Sequence, residues 1–373
     1  MPESPSTDEL LDATTAMLPP LLRALEALGY AGRHLHPPDL PALVAGLRGL
    51  AEPLAAGLRA FEAIDWPDHL TLFQTRSRMA AAEALGALEG LAACLETRNP
   101  VLSAYRAMGG ATRAVEALYP VAFMLPPVNR FFLCEPERDD PALQQALLAS
   151  DPYAAGVGVM HAGNTAGDRG GFSLYVPEYH APQTPAPLVV ALHGGSGHGR
   201  SFLWTWLKEA RSRGAIVLAP TSRQDTWSLM DPAVDAVHLR ELVEHVKSEW
   251  AIDESRILLT GMSDGGTFAY LAGLEDDAPY THLAPVSATF HPLLLEIAGA
   301  ERLRGLPVYL VHGALDWMFP VDVARLAREA LTAAGADVTF REIADLSHTY
   351  PREENVRILD WLNSTVGAAS GRE

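Results

Sequence analysis

Gly261-Met262-Ser263-Asp264-Gly265-Gly266 stands between Arg256-Ile257-Leu258-Leu259-Thr260, an apolar run of strand length, and Thr267-Phe268-Ala269-Tyr270-Leu271-Ala272-Gly273-Leu274, which reads as a helix. A serine between two glycines at a strand-to-helix junction, G-x-S-x-G, predicts a sharp elbow that lifts the hydroxyl above the C-terminal edge of a sheet. So tight a turn leaves no room for bulky flanking side chains, and glycine also tolerates unusual dihedrals. The backbone N–H of Asp264 then sits at a helix N-terminus, where negative charge is stabilised. The motif is short, so the rest of the chain has to supply its context.

From Asp151 onward the chain alternates strand and helix patterns. Residues 156–161 and 171–176 are strand-like, and the glycine-rich connector between them predicts an antiparallel hairpin. Further apolar strand runs fall at 188–192, 216–219, 257–260, 282–286, 308–311 and 338–343. Helical stretches fall near 201–213, 231–250, 264–274, 320–334 and 352–364. This alternation predicts an α/β fold with a doubly wound, mostly parallel sheet.

The first part of the chain differs. Residues 7–118 are rich in Ala, Leu, Glu and Arg at helical spacing and predict four to six helices. Pro19-Pro20, Pro37-Pro38 and Pro67 punctuate them and are expected at helix starts. Residues 121–136 contain Pro126-Pro127 and Arg130-Phe-Phe-Leu-Cys134, and predict an extended apolar strap. Residues 140–150 predict a short helix with Asp139 or Asp140 as N-cap and Pro141 in its first turn. The expected organisation is a helical N-terminal region, 1–150, followed by a catalytic domain, 151–373. Residues 7–118 carry more apolar helix face than a short bundle can hide. They are therefore expected to cap the cleft, dock a partner or build a homo-oligomer.

Composition narrows the function classes. A net charge of −18 opposes binding to nucleic acid or anionic membrane surfaces. No run of 18 apolar residues offers a membrane span. The acidic start, Met1-Pro-Glu-Ser-Pro-Ser-Thr-Asp-Glu9, lacks the basic and apolar segments of a secretory signal, so a cytoplasmic location is expected. Cys94 and Cys134 read as buried small hydrophobes, and no Cys/His cluster suggests a metal.

In a parallel sheet of this kind, ligands meet the loops beyond the carboxyl ends of the strands. After 188–192 comes His193-Gly-Gly-Ser-Gly-His-Gly199, whose Gly194 and Gly195 are candidate oxyanion donors together with Asp264. It lacks the G-K-[ST] of a phosphate loop. After 308–311 comes His312-Gly-Ala-Leu-Asp316-Trp-Met-Phe-Pro320, with Asp316 as candidate acid. After 338–343 comes Ala344-Asp-Leu-Ser-His348-Thr-Tyr-Pro, with His348 as candidate base just ahead of the last helix. The order Ser263, Asp316, His348 is that of a triad built on consecutive strand ends. Asp322 is expected to cap its helix, and Asp345 is too close to His348 to need its own strand end. His193 and His312 are expected to support loops, while His161, His198 and His291 follow the wrong strands. Aromatics crowd the same loops. Trp204, Trp227, Trp317 and Phe319 are candidate pocket walls, although many such rings serve as core.

The catalytic half, roughly 185–365, resembles the phospholipase/carboxylesterase branch of the α/β-hydrolases, which includes acyl-protein thioesterase-like enzymes. The resemblance rests on LHGGSG (192–197), GMSDGG (261–266), VHGALDWMFP (311–320) and the histidine of SHTYP (347–351). It implies Ser263 as nucleophile, Asp316 as acid and His348 as base, with oxyanion donors near Gly195 and at Asp264. It also implies a small-molecule ester substrate, with no metal or organic cofactor. Relatives commonly carry Gln where Asp264 stands, and usually lack anything like residues 1–150. The expectation is hydrolysis of carboxylic esters with small to medium apolar groups. An amidase or peptidase could use the same residues, and a catalytically silent binding module of the same fold is the alternative from another class.

Overall fold

The computed structural model describes residues 5–296 and 298–369. Met1–Ser4, the beginning of the acidic stretch read above, lie outside the described residues. The chain folds as two compact units, Met1–Cys134 and Glu135–Glu373.

The first unit is helical. It holds α1 (Thr7–Arg33), α2 (Leu40–Gly46), α3 (Ala51–Glu62), α4 (Thr71–Cys94), α5 (Pro100–Leu118) and α6 (Pro126–Phe131), with short 3-10 turns ahead of α2, α4 and α6. Helix α1 starts at a reciprocal cap: Ser6 Oγ accepts from Glu9 N and the Glu9 carboxylate accepts from Ser6 N. Its buried face, Met17, Leu21, Leu25 and Leu28, repeats every three to four residues, as a core-facing helix requires.

Two sequence expectations change here. Pro19 and Pro20 do not start a helix but lie inside α1. With no N–H on Pro20, the carbonyl of Ala16 loses its partner within the helix. Helix α3 fits against that point through a glycine, because a Cβ on Gly57 would stand 2.4 Å from the Ala16 oxygen. The segment 121–136 is not extended, since α6 occupies its middle. Pro126 and Pro127 sit in the first turn of that helix, where the missing N–H groups would have had no intrahelical partner. Cys94 and Cys134 are both buried, and neither is in a disulfide.

The second unit opens with α7 (Pro141–Ala149), capped by Asp140 Oδ1, which accepts from Ala142 N and Leu143 N. Its eight strands are β1 (Gly158–Ala162), β2 (Phe172–Val176), β3 (Ala186–Leu192), β4 (Ile216–Pro220), β5 (Ile252–Met262), β6 (His282–Val286), β7 (Pro307–Gly313) and β8 (Asp337–Ile343). They form one sheet in the order β1-β2-β4-β3-β5-β6-β7-β8. The pairs β1/β2 and β2/β4 are antiparallel and all others parallel, so the expected hairpin heads a doubly wound sheet.

The helices of this unit are α8 (Gly199–Phe202), α9 (Leu207–Arg213), α10 (Ala233–Glu249), α11 (Asp264–Gly273), α12 (Ala300–Leu303), α13 (Asp322–Ala333) and α14 (Glu353–Ala369). The helix expected over 201–213 is broken into α8, a 3-10 turn and α9. Strands β3, β4 and β6 are buried along their whole length, so they read as continuous apolar runs rather than alternating ones. Between the sheet and its helices lies a core of Leu188, Val190, Ile216, Leu218, Leu259, Phe268, Leu283 and Val308 with their neighbours. Among the described residues no helix is long and apolar enough to cross a membrane.

Candidate active site

Ser263 sits between the end of β5 and the start of α11 with φ 55° and ψ −119°. A left-handed φ is costly for a residue with a Cβ, and such strain persists only where the surroundings impose it. They do so here. Ser263 N donates to Val286 O of β6 at 2.9 Å, and Ser263 O accepts from Thr267 N one helical turn on. The flanking glycines are needed for space. A Cβ on Gly265 would lie 2.4 Å from His193 O and 2.5 Å from Leu192 O, and one on Gly261 would lie 2.5 Å from the carbonyl carbon of Gly265. The unusual dihedral therefore belongs to the serine, while the glycines let β3, β5 and α11 approach one another.

The structure brings three of the sequence candidates into one hydrogen-bonded chain. Ser263 Oγ is 3.0 Å from His348 Nε2, and His348 Nδ1 is 2.9 Å from Asp316 Oδ2. A carboxylate only accepts, so Nδ1 carries the hydrogen and Nε2 is left to accept from the serine hydroxyl. All three side chains are buried. The other oxygen of Asp316, Oδ1, accepts from Met318 N at 2.9 Å and Phe319 N at 2.8 Å. Burial pushes the Asp316 carboxyl up, but the bonds from His348 and Phe319 outweigh it and hold it below the usual carboxylate range. Phe319 also sets its ring edge-on to His348, with centroids 5.3 Å apart.

His312 supports the acid. Its Nε2 donates to Phe319 O at 2.9 Å and stands 3.5 Å from Asp316 Oδ2, and burial holds its pKa down. Asp322 is not a cap as expected. It is the first residue of α13 and pairs with Arg325 at 2.8 Å, well exposed. The other candidate histidines are bonded away from Ser263. His198 caps α8 by accepting from Arg200 N, His291 accepts from Leu293 N, and His161 bonds Ser173 Oγ.

The glycine loop after β3 lies beside the serine. A Cβ on Gly194 would be 3.6 Å from Ser263 Cβ, and one on Gly195 would be 2.7 Å from Asp264 Oδ2. The Asp264 carboxylate accepts from Thr226 Oγ1 at 2.6 Å. Thr226 carried no sequence signal, because a lone threonine in a loop resembles any solvated turn residue. Of the aromatic candidates, Trp204 and Trp227 are buried, and Trp227 belongs to the sheet core. Trp317 is half exposed and Phe319 is partly exposed beside the histidine. No cluster of three or more His, Cys, Asp or Glu that could hold a metal occurs among the described residues.

Residues 230–366 match the phospholipase/carboxylesterase family. A bifunctional acetylxylan esterase/xylanase of Neocallimastix patriciarum is 28% identical over 148 residues, which are 38% of this chain and 21% of that protein. A probable feruloyl esterase C of Aspergillus niger is 24% identical over 40% of this chain and 56% of its own length. The chain thus spans about a fifth and about half of those two proteins. An acyl-protein thioesterase 1 of Gibberella zeae is 25% identical over 47% of this chain and 70% of its own. Among solved structures, acyl-protein thioesterase 2 of Zea mays aligns with a TM-score of 0.42 and 17% identity over 52% of this chain and 98% of that one.

Proposed function

We propose that the protein is a serine hydrolase of the α/β-hydrolase fold, a reading supported by the match of residues 230–366 to the phospholipase/carboxylesterase family. Its substrates are carboxylic esters with small to medium apolar groups. Ser263 is the nucleophile, His348 the general base and Asp316 the carboxylate that holds the imidazole. The backbone N–H of Asp264 and those of Gly194 and Gly195 receive the oxyanion. Trp317 and Phe319 are the aromatic candidates best placed to touch substrate, since Trp204 and Trp227 are buried in this conformation.

The observation that carries this reading is the unbroken chain of hydrogen bonds from Ser263 Oγ through His348 to Asp316 Oδ2. As Oγ attacks the ester carbonyl carbon, its proton passes to His348 Nε2, and Asp316 stabilises the resulting imidazolium. The C–O bond to the alcohol then breaks, and Nε2 returns the proton to the departing oxygen. That leaves an acyl group on Ser263. Water repeats the cycle with His348 as base, releasing the carboxylic acid and restoring the serine. Each oxyanion N–H contributes about 3 kcal/mol to the transition state. No metal or organic cofactor enters these steps.

The test combines a graded panel of p-nitrophenyl esters with fluorophosphonate labelling of the full chain. Hydrolysis of the short and medium acyl esters, together with labelling confined to Ser263, is the expected outcome. Labelling of another serine, or turnover of anilides that matches turnover of the corresponding esters, would overturn the nucleophile or the ester preference respectively.

A further inference from the structure

Two successive carbonyls in the loop after β3 are each claimed by a side chain. His193 O accepts from Trp227 Nε1 at 2.7 Å. Gly194 O accepts from His193 Nδ1 at 2.7 Å and from Gly197 N at 3.0 Å. Every peptide bond here is trans, so each N–H lies opposite its carbonyl in the same plane. Fixing the His193 carbonyl fixes the Gly194 N–H, and fixing the Gly194 carbonyl fixes the Gly195 N–H. Gly194 is the residue that packs against Ser263.

The imidazole that holds Gly194 O is itself held. Ser222 N donates to His193 Nε2 at 3.1 Å, so Nε2 is the acceptor and Nδ1 carries the hydrogen. Burial pushes the His193 pKa down to about 4, which keeps that neutral tautomer in place at neutral pH. The Trp227 indole lies 4.9 Å from the His193 ring on one side and stacks on Phe268 of α11 at 5.4 Å on the other. The guanidinium of Arg169 bridges Gly197 O on this loop to Ser222 Oγ and Gln224 O on the neighbouring one. Ser196 N adds a bond to Asp225 O at 3.0 Å.

We propose that His193 and Trp227 are positioning residues that aim the Gly194 and Gly195 N–H groups at the oxyanion formed on Ser263. The inference rests on the serine-hydrolase reading above. Both side chains are buried and act on the site through the loop carbonyls that they bond. Trp227, a pocket candidate by sequence, acts through the backbone of the loop instead.

The experiment compares wild type with His193→Leu, His193→Asn and Trp227→Phe in the full chain. It measures kcat and KM on a p-nitrophenyl butyrate substrate and the affinity of an alkyl trifluoromethyl ketone, whose adduct on Ser263 carries an oxyanion. Removing one oxyanion donor elsewhere lowers kcat by roughly 10²- to 10³-fold, so His193→Leu is expected to lose about 10²-fold in kcat with KM nearly unchanged. Ketone affinity should fall in parallel, as transition-state binding requires. In His193→Asn the amide restores a donor toward Gly194 O, and it should recover about tenfold of that loss. Trp227→Phe keeps an aromatic ring, though a smaller one, and removes the N–H, and is expected to lose about tenfold in kcat. A folded His193→Leu with wild-type kcat, or a loss carried by KM alone, overturns the inference. If His193→Leu does not fold, Trp227→Phe decides, with wild-type kcat and ketone affinity as the overturning result. Ser263→Ala separates the two readings. An active Ser263→Ala sinks the serine-hydrolase assignment itself, whereas an inactive one beside a fully active Trp227→Phe sinks only the positioning role.

Discussion

Ser263 Oγ and His348 Nε2 lie 3.0 Å apart although 85 residues separate them in sequence. Strands β5 and β8, which carry them, are three positions apart in the sheet, roughly 14 Å at ordinary strand spacing. The loop after β8 therefore reaches back over the sheet edge, and Asp316, from the loop after β7 between them, meets it on the way. Ser263→Ala should abolish ester hydrolysis and fluorophosphonate labelling without unfolding the chain. The elbow is held by backbone bonds to Val286 O and from Thr267 N, which alanine retains. Residual turnover near wild type would place the nucleophile elsewhere.

Asp316→Asn should keep KM and lower kcat by roughly 10⁴-fold, because the amide can present its N–H to the imidazole and favour the wrong tautomer. Asp322→Asn should change kcat by less than about threefold, since that side chain is an exposed partner of Arg325, whose pairing contributes little. Steady-state kinetics on one p-nitrophenyl ester decide the matter. A crippled Asp322→Asn beside an active Asp316→Asn would move the acid to α13.

Much of this site is legible in the sequence because its residues sit at strand ends, where hydrophobic runs stop abruptly. Ser263, Asp316 and His348 each follow such a run, and one sheet topology brings those ends to one edge. The α6 helix was hidden because Pro126-Pro127 reads as a helix breaker until its first-turn position is known. The two prolines of α1 read as a helix start, and their place inside a longer helix, with Gly57 of α3 packed close to Ala16, is set by tertiary packing that local composition does not encode. The loop bonds of Thr226, Ser222 and Trp227 had no sequence signature. They join residues on separate loops, and nothing in local composition encodes such a pairing.

Gly265→Ala tests the close approach of β3 and α11. Its Cβ would meet the backbone oxygens of His193 and Leu192 at 2.4 and 2.5 Å, and neither can turn aside as a side chain could. Overpacking of this kind costs about 1–3 kcal/mol, and here it also displaces the carbonyl that precedes Gly194. The variant should be destabilised and should lose far more activity than stability alone accounts for. Gly86→Ala in α4 is the control. It has open space around it, and should be more stable than wild type by about 0.5–1 kcal/mol. Urea unfolding and kcat of both variants give the answer. An active, fully stable Gly265→Ala would contradict the packing described for the elbow.

Acid should weaken the fold in a window set by buried histidines. Burial holds His193 and His282 down to about 4, so both are neutral in the folded chain over most of the acid range. Unfolded histidine titrates near 6.5. Between about 6.5 and about 4 the unfolded chain therefore binds protons that the folded chain refuses, and stability falls as pH falls through that interval. Above it both states are neutral and the term is fully present. Below it both are protonated and the loss is complete. Each histidine contributes roughly 3 kcal/mol at most across the window, and His180 and His312, shifted down by burial, add in the same direction. Carboxylates held low by their hydrogen bonds, Asp316 and Asp253 among them, act only further down, as pH drops below the ordinary aspartate value. The two contributions therefore separate on the pH axis. Denaturant unfolding at pH 7.5, 6.0, 5.0 and 4.5 should show a falling free energy for wild type and a shallower slope for His282→Gln. An equal loss in both would mean that His282 is charged inside the fold, against the burial of its ring edge-on to Trp361.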